Sequence, residues 1–144
     1  MKKSEYVVTF LFNHDCTKVW LIEKQKPEWQ KGLLNGIGGK IEEGETPVDA
    51  AFRELKEEAG YYGSVITEIG YMEGTNNDGS QFKVEIFAGR TNEKLYTVEK
   101  EEIVLVNIED LPLKKTIGNV PMLIEACRYR LGKSSNFKKL IMQY

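Results

Sequence analysis

Glu54, Glu57 and Glu58 crowd into a five-residue stretch of the run RELKEEAG. On a helix, residues three and four apart share a face, so these carboxylates would form one acidic patch. At about 6 Å and an effective dielectric near 20, each pair repels by roughly 3 kcal/mol before screening. Two interpretations fit: a solvated helix face, or a site for Mg²⁺, which takes carboxylate oxygens as ligands.

The residues before this patch decide between the two interpretations. Gly39 is followed after five residues by Glu45, and after seven more by Arg53 and the acidic run ending at Gly60. At about 5–7% for each residue type, these seven identities match a given frame by chance on the order of once in 10⁸. Residues 39–61 resemble the signature of the Nudix hydrolases, G-x5-E-x7-R-E-U-x-E-E-x-G-U, where U is a bulky aliphatic residue. Every fixed letter is present, and Tyr61 departs from the pattern at the last U.

The resemblance implies a metal site in this segment. It implies Glu57 and Glu58 as principal ligands, Glu54 as a further ligand or as the general base, and the carbonyl of Gly39 as a backbone ligand. The cofactor would be Mg²⁺, with Mn²⁺ as a substitute. A cation in this position would turn the mutual repulsion of the carboxylates into attraction.

The resemblance also implies supporting and catalytic roles. Glu45 and Arg53 would support the site, because a guanidinium fork can orient a neighbouring carboxylate. We expect Glu54 to be the base that takes a proton from the attacking water. Some family members take the base from a later loop, and the alternatives here are Glu99, Glu101 and Glu102.

Two asparagines are candidates for base recognition. Asn35 lies in LNGIGGK, which resembles the NGxGGK variant of MutT-type enzymes that hydrolyse oxidised purine nucleoside triphosphates. Asn119 begins an Asn-x-Pro similar to one that contacts the base in bacterial MutT-type members. An amide can donate and accept at once, which suits a purine edge. The structural alternatives are a turn residue beside Gly36 and a helix N-cap, respectively.

Four further side chains could contact the substrate. The aromatic rings of Trp29 and Phe82 could stack on a base, although aromatic residues more often fill a core or anchor a loop. The ammonium groups of Lys24 and Lys26 could meet phosphates.

The resemblance predicts a Mg²⁺-dependent hydrolase that cleaves a nucleoside triphosphate to monophosphate and pyrophosphate, with 8-oxo-guanine nucleotides as candidates. One alternative is another organic pyrophosphate, such as dihydroneopterin triphosphate or a nucleotide sugar. The other is a nucleotide-binding sensor that does not cleave its ligand. No proline lies between Pro47 and Pro112 and no SQPWPFP string occurs, so ADP-ribose and NADH are less expected substrates.

The elements that would position these residues follow from local patterns. Residues 7–12 and Lys18–Glu23 predict an antiparallel hairpin, and residues 25–39 predict mostly loop. Thr46 and Pro47 predict the start of a helix that Gly60 ends. Its expected buried stripe is Val48, Phe52, Leu55 and Ala59.

Later segments complete an α/β sheet packed between helices, which suits the α/β/α sandwich of the family with a mixed central sheet. Strands are predicted at residues 64–72, 81–88 and 103–108, and a helix at residues 119–131 that Gly132 ends. We expect one domain over residues 1–144, with residues 39–61 as its motif.

Composition bounds the partners. The chain has 144 residues, a net charge of −2 and a pI near 5.6, which argues against binding of a nucleic-acid polymer. Its apolar runs are shorter than the roughly 20 residues that span a bilayer, so we expect a soluble, cytoplasmic protein. We expect reduced thiols at Cys16 and Cys127, and His14 in a turn is a poor candidate for catalysis. Many family members pair, so a homodimer is a further expectation.

Overall fold

The computed structural model describes residues 3–132 and 140–143. These residues form eight strands and two α-helices, with two short 3-10 segments at Glu28–Gln30 and Ile108–Leu113. The strands are β1 Lys3–Phe12, β2 Lys18–Glu23, β3 Leu34–Asn35, β4 Ile37–Lys40, β5 Thr67–Thr75, β6 Gln81–Arg90, β7 Ile103–Asn107 and β8 Leu140–Gln143. The helices are α1 Pro47–Ala59 and α2 Val120–Gly132. Residues 1, 2, 133–139 and 144 of the expected domain lie outside the described residues.

The strands form one mixed sheet, as predicted. Its order is β3-β2-β1-β6-β5-β8, with β4 paired to β1 and β7 paired to β2. The long central strand β1 is parallel to β6 and antiparallel to β2 and β4. The predicted hairpin is confirmed by the β1–β2 register, in which Leu11 faces Trp20.

The two helices cover opposite faces of the sheet. Val7 packs in a buried cluster with Ala50 and Ala51 of α1, whereas Val8 packs in a cluster with Leu123 and Ile124 of α2. Since successive residues of a strand point to opposite faces, α1 and α2 lie on different sides. The predicted sandwich is therefore confirmed.

Helix α1 begins and ends at the residues that the sequence indicates. The hydroxyl of Thr46 accepts a hydrogen bond from the Asp49 N–H at 3.2 Å, and Pro47 occupies the first turn. Gly60 ends the helix in the left-handed region at φ 65°, a conformation that glycine adopts without steric cost. Tyr61, which departs from the family pattern, is buried in a cluster with Leu11 and Leu55.

The buried face of α1 differs from the predicted stripe. Leu55 and Ala59 are buried as expected, Phe52 is half-buried, and Val48 is 40% exposed. The face instead includes Ala50 and Ala51, whose small side chains let the helix lie close to β1. This rotates Glu54 towards the sheet, so only 9% of that residue is exposed.

Other bounds also shift. The predicted loop at residues 25–39 contains β3 and most of β4, because the glycines there let β4 approach β1 closely. A Cβ on Gly38 would lie 1.9 Å from the Val7 carbonyl oxygen. Strand β5 begins three residues later than predicted, β7 ends one residue earlier, and α2 includes Gly132. Strand β8 was not predicted. Among the described residues, neither helix is long and apolar enough to cross a membrane.

Candidate active site

Arg53 of α1 is fixed by the segment that precedes the helix. Its Nε donates to Glu45 Oε2 at 2.7 Å, and its Nη2 donates to Glu45 Oε1 at 3.0 Å and to the Lys40 carbonyl at 3.0 Å. The hydrogen bond from Arg53 lowers the pKa of Glu45, and Glu45 in turn raises the pKa of Arg53. The guanidinium and this carboxylate therefore stay charged and in a fixed geometry.

The third nitrogen of the same guanidinium points at the acidic patch. Arg53 Nη1 donates to Glu54 Oε1 at 2.7 Å and to Glu57 Oε2 at 3.2 Å. The structure thus brings Arg53 and Glu45 to the acidic patch, and their supporting role stays a prediction. One guanidinium orders three carboxylates from two segments of the chain.

The three patch glutamates differ in exposure. The Glu57 side chain is 48% exposed, Glu58 is half-buried and Glu54 is buried. The three carboxylates therefore do not form the uniformly solvated face that the first of the two interpretations describes. Glu54 lies directly over β4, where a Cβ on Gly39 would be 2.7 Å from Glu54 Oε1. The backbone of Gly39 and the carboxylate of Glu54 are neighbours, as the sequence motif suggested.

Glu58 has an unusual electrostatic environment. Burial raises the pKa of Glu58, and the neighbouring Glu54 raises it further through a hydrogen bond and through its charge. Within the described part of the chain, Glu58 Oε2 is buried and has no hydrogen-bond partner. A buried carboxylate oxygen without a partner, next to a second carboxylate, is costly unless a proton or a cation neutralises the charge.

The carboxylate oxygens of Glu54, Glu57 and Glu58 fit a hard divalent cation, which prefers oxygen ligands. Among residues 3–132 and 140–143, however, no three acidic, histidine or cysteine side chains already surround a common point. Arg53 holds one oxygen of Glu54 and one of Glu57. The cluster therefore has the right chemistry for a metal, and Arg53 holds two of its carboxylates, those of Glu54 and Glu57.

Of the three alternative bases, the structure brings one to the site. Glu99 and Glu102 are exposed. Glu101 is half-buried and accepts hydrogen bonds from Lys24 Nζ at 3.3 Å and from the N–H groups of Gln25 and Lys26. No sequence pattern indicates this contact, because Glu101 lies 76 positions after Gln25 in the chain.

The two asparagines lie in adjacent segments. The Leu34 N–H donates to the Lys115 carbonyl at 2.9 Å, and the Ile117 N–H donates to the Leu34 carbonyl at 3.0 Å, so the segment leading to Asn119 runs beside β3. Asn35 Oδ1 accepts from the Gly36 N–H at 2.7 Å, and Asn119 Nδ2 lies 3.0 Å from Met72 Sδ.

The four remaining candidates for substrate contact differ in position and exposure. Phe82 is half-buried on β6, two residues from Val84, and Val84 pairs with Met72 of β5, which contacts Asn119. Phe82 therefore shares a sheet face with the Asn119 contact. Lys24 lies within electrostatic reach of Glu58. In contrast, Trp29 is 69% exposed and the Lys26 side chain faces solvent.

Comparisons with known proteins agree with this fold. The family model of the NUDIX domain matches residues 2–125. The mouse oxidized purine nucleoside triphosphate hydrolase is 40% identical over 52 residues, which cover 36% of this chain and 33% of that protein. The match thus spans about a third of the length of this curated relative.

Two solved structures share the fold. The NUDIX domain of Shewanella oneidensis NrtR, complexed with ADP ribose, superposes with a TM-score of 0.80 at 19% identity and covers 91% of this chain and 90% of that one. The MutT protein from Bacillus halodurans gives a TM-score of 0.75 at 16% identity and covers 97% and 88%. Since the family model matches most of the chain, this protein belongs to the Nudix hydrolase family.

Proposed function

We propose that this Nudix hydrolase is a Mg²⁺-dependent pyrophosphohydrolase that converts a nucleoside triphosphate to a nucleoside monophosphate and pyrophosphate. The observation that carries the proposal is the carboxylate cluster: Arg53 holds Glu54 and Glu57 together, and Glu58 presents a buried oxygen without a partner among the described residues. Such a cluster is costly by itself and becomes favourable when a cation and a polyphosphate bind.

The residues that would hold the metal are Glu57, Glu58, Glu54 and the carbonyl of Gly39. When bound, Mg²⁺ supplies charge neutralisation at the phosphoryl oxygens and a lowered pKa for water. The chain's own contribution is orientation. Arg53 fixes the Glu54 carboxylate through the 2.7 Å contact, and the close backbone of Gly39 limits where that carboxylate can move.

In this proposal Glu54 is the general base. Its burial and its fixed orientation suit a group that must take a proton from one direction. Lys24, near Glu58, would bind a phosphate oxygen of the substrate.

For the substrate we propose an oxidised purine nucleotide such as 8-oxo-dGTP. Asn35 and Asn119 lie in adjacent segments and offer amide groups for a purine edge. Phe82 shares the sheet face of the Asn119 contact and could stack on the base. The 40% identity with the mouse hydrolase over 52 residues supports this choice.

A second candidate is a ligand in which a nucleoside diphosphate is linked to another group, either cleaved or only bound. The ADP ribose in the NUDIX domain of NrtR favours this class. A cytoplasmic location and a homodimer belong to the proposal as well. Size-exclusion chromatography with light scattering tests the dimer.

A substrate screen tests the function. The purified chain is incubated with Mg²⁺ and a panel of normal and oxidised nucleoside triphosphates, nucleotide sugars, ADP-ribose and dihydroneopterin triphosphate, and the products are identified by chromatography. We expect monophosphate and pyrophosphate from an oxidised purine triphosphate. Turnover of a nucleotide sugar alone would overturn the triphosphate assignment, and tight binding without turnover would support a sensor.

A further inference from the structure

Glu101 links two parts of the chain that lie far apart in sequence. Its carboxylate accepts from Lys24 Nζ at 3.3 Å and from the N–H groups of Gln25 and Lys26, the latter at 3.4 Å. These donors follow the end of β2, where a backbone N–H has no strand partner by default. About 20% of each side chain in the Lys24–Glu101 pair is exposed, so the pair is shielded more than a surface ion pair.

The segment before Glu101 is hydrogen-bonded to the C-terminal end of α1. The Tyr96 N–H donates to the Ala59 carbonyl at 3.2 Å, and the Val98 N–H donates to the Glu58 carbonyl at 3.4 Å. The Tyr96 ring also lies against Gly60, where a Cβ would be 2.5 Å from the ring. Residues 96–101 therefore connect the backbone of Glu58, a proposed metal ligand, to residues 24–26.

These contacts also place the charge of Lys24 near the acidic cluster. Glu101, which pairs with Lys24 Nζ at 3.3 Å, lies three residues after Val98, whose N–H donates to the Glu58 carbonyl at 3.4 Å. The Lys24–Glu101 pair is thus tied to the C-terminal end of α1, which carries Glu57 and Glu58. An ammonium on a flexible four-carbon stem binds phosphate better if its position is fixed before the substrate arrives.

The hydrogen bonds of Glu101 suit an anchor better than a proton acceptor. One oxygen accepts two backbone N–H groups and the other faces the Lys24 ammonium, so each contact stabilises the ionised form. A general base needs an oxygen directed at the attacking water.

We propose that Glu101 is a positioning residue, which holds Lys24 and the adjoining backbone beside the carboxylate cluster so that the ammonium meets the polyphosphate of the substrate. This inference rests on the proposed function for its catalytic consequence. The hydrogen bonds that define it can be tested without turnover.

Kinetics separate this role from general-base catalysis. We expect Glu101→Ala to raise KM for the triphosphate by about 10-fold to 100-fold, with a smaller change in kcat, because the phosphate contact is misplaced. Glu101→Gln retains an oxygen that accepts from the Gln25 N–H, so it should recover most of the loss. The control is Glu109→Gln, an exposed glutamate outside the site. If Gln and Ala both abolish kcat, Glu101 is the base and the proposal is overturned.

A double variant tests the route through Lys24. If Glu101 acts by placing Lys24, then Lys24→Met and Glu101→Ala should each raise KM, and the pair should raise it little more than either one. Lys18→Met removes an exposed lysine at the start of β2 as the matched control. Fully multiplicative effects of the two variants would contradict the coupling.

Amide hydrogen exchange tests directly whether the Glu101 carboxylate accepts a hydrogen bond from the Gln25 N–H. In the wild-type chain the Gln25 amide should be protected, and Glu101→Ala should speed its exchange by about tenfold or more while the amides of β1 stay protected. Unchanged protection of Gln25 would overturn the anchor whatever the kinetics show. If the wild-type chain hydrolyses no triphosphate, the proposed function fails, and the exchange result still decides the contact.

Discussion

Arg53 and Glu45 form a two-point ion pair, with Nε 2.7 Å from Oε2 and Nη2 3.0 Å from Oε1. Because the guanidinium is planar, fixing two nitrogens also fixes the direction of the third, which donates to Glu54 and Glu57. The Glu45 carboxylate also accepts from the Glu42 N–H, so the loop before α1 is tied to the same group. The arrangement of Glu54 and Glu57 thus depends on Glu45, which does not belong to the acidic cluster.

Replacing this fork by a point charge should disorder the cluster. Arg53→Lys keeps the positive charge and loses the second contact to Glu45, so we expect kcat to fall by about 10-fold to 100-fold, the usual effect of removing a partner that orients metal ligands. Initial rates over a Mg²⁺ titration measure the change. Arg128→Lys is the control, because Arg128 pairs with Glu125 at 2.8 Å on α2, outside the site. Wild-type rates in Arg53→Lys would contradict the proposed role.

Glu57 should matter for turnover and little for the fold. Its side chain is 48% exposed and pairs with Arg53 at 3.2 Å. We expect Glu57→Gln to lose most turnover, while the free energy of unfolding changes by no more than about 0.5 kcal/mol, as for other surface substitutions. Rates and denaturant unfolding of the same preparation test both parts. Retained activity would refute the metal assignment, and a large loss of stability would show that Glu57 supports the fold.

The end signals of α1 and the grouping of Glu54, Glu57 and Glu58 on this helix could be predicted because they depend on a short stretch of chain. Thr46 and Gly60 act within one turn of the helix, and local chemistry determines them. The burial of Glu54 could not be predicted, since it depends on how closely Ala50 and Ala51 approach β1. A helical wheel that gives most weight to large apolar residues places Val48 on the buried face. In the structure, the small residues Ala50 and Ala51 make the contact with β1 instead.

Contacts between segments that are distant in the chain could not be predicted from the sequence either. The bond between Glu101 and Gln25 and the path of residues 115–117 beside β3 both depend on strand order. The motif therefore predicted the grouping of the glutamates on α1, and the sheet topology determined that Lys24 pairs with Glu101.

Position 39 should require glycine, because the carboxylate of Glu54 lies next to it. A Cβ there would lie 2.7 Å from Glu54 Oε1, and the end of that side chain can shift without moving backbone. We expect Gly39→Ala to fold, and to lose both Mg²⁺ affinity and turnover because Glu54 is displaced. Gly132→Ala is the matched control, since nothing lies within 4 Å of its added Cβ. Calorimetric titration with Mg²⁺ and circular dichroism are the measurements. Equal affinity in the two variants would contradict the contact.

Magnesium should stabilise the folded chain through Glu58. A ligand that binds only the folded state raises the unfolding temperature, by an amount that grows with ligand concentration. In EDTA, we expect Glu58→Gln to unfold at the same temperature as the wild-type chain or higher, because burying a carboxylate beside Glu54 is unfavourable. On addition of Mg²⁺ only the wild-type chain should gain stability. An equal gain in the variant would show that Glu58 is not a ligand.

The two asparagines should determine which base is accepted. Removing an amide that hydrogen-bonds a substrate costs about 1–3 kcal/mol, which corresponds to roughly 5-fold to 150-fold in kcat/KM. We expect Asn35→Ala and Asn119→Ala to lower kcat/KM by this factor for the oxidised purine triphosphate and by less for a pyrimidine triphosphate. The ratio of kcat/KM between the two nucleotides should therefore become smaller. Asn76→Ala is the control, because Asn76 bonds Ser80 in the turn between β5 and β6. Since Asn119 also contacts Met72, thermal unfolding of each variant must accompany the kinetics. Equal losses for every nucleotide would mean that the asparagines support the fold and do not read the base.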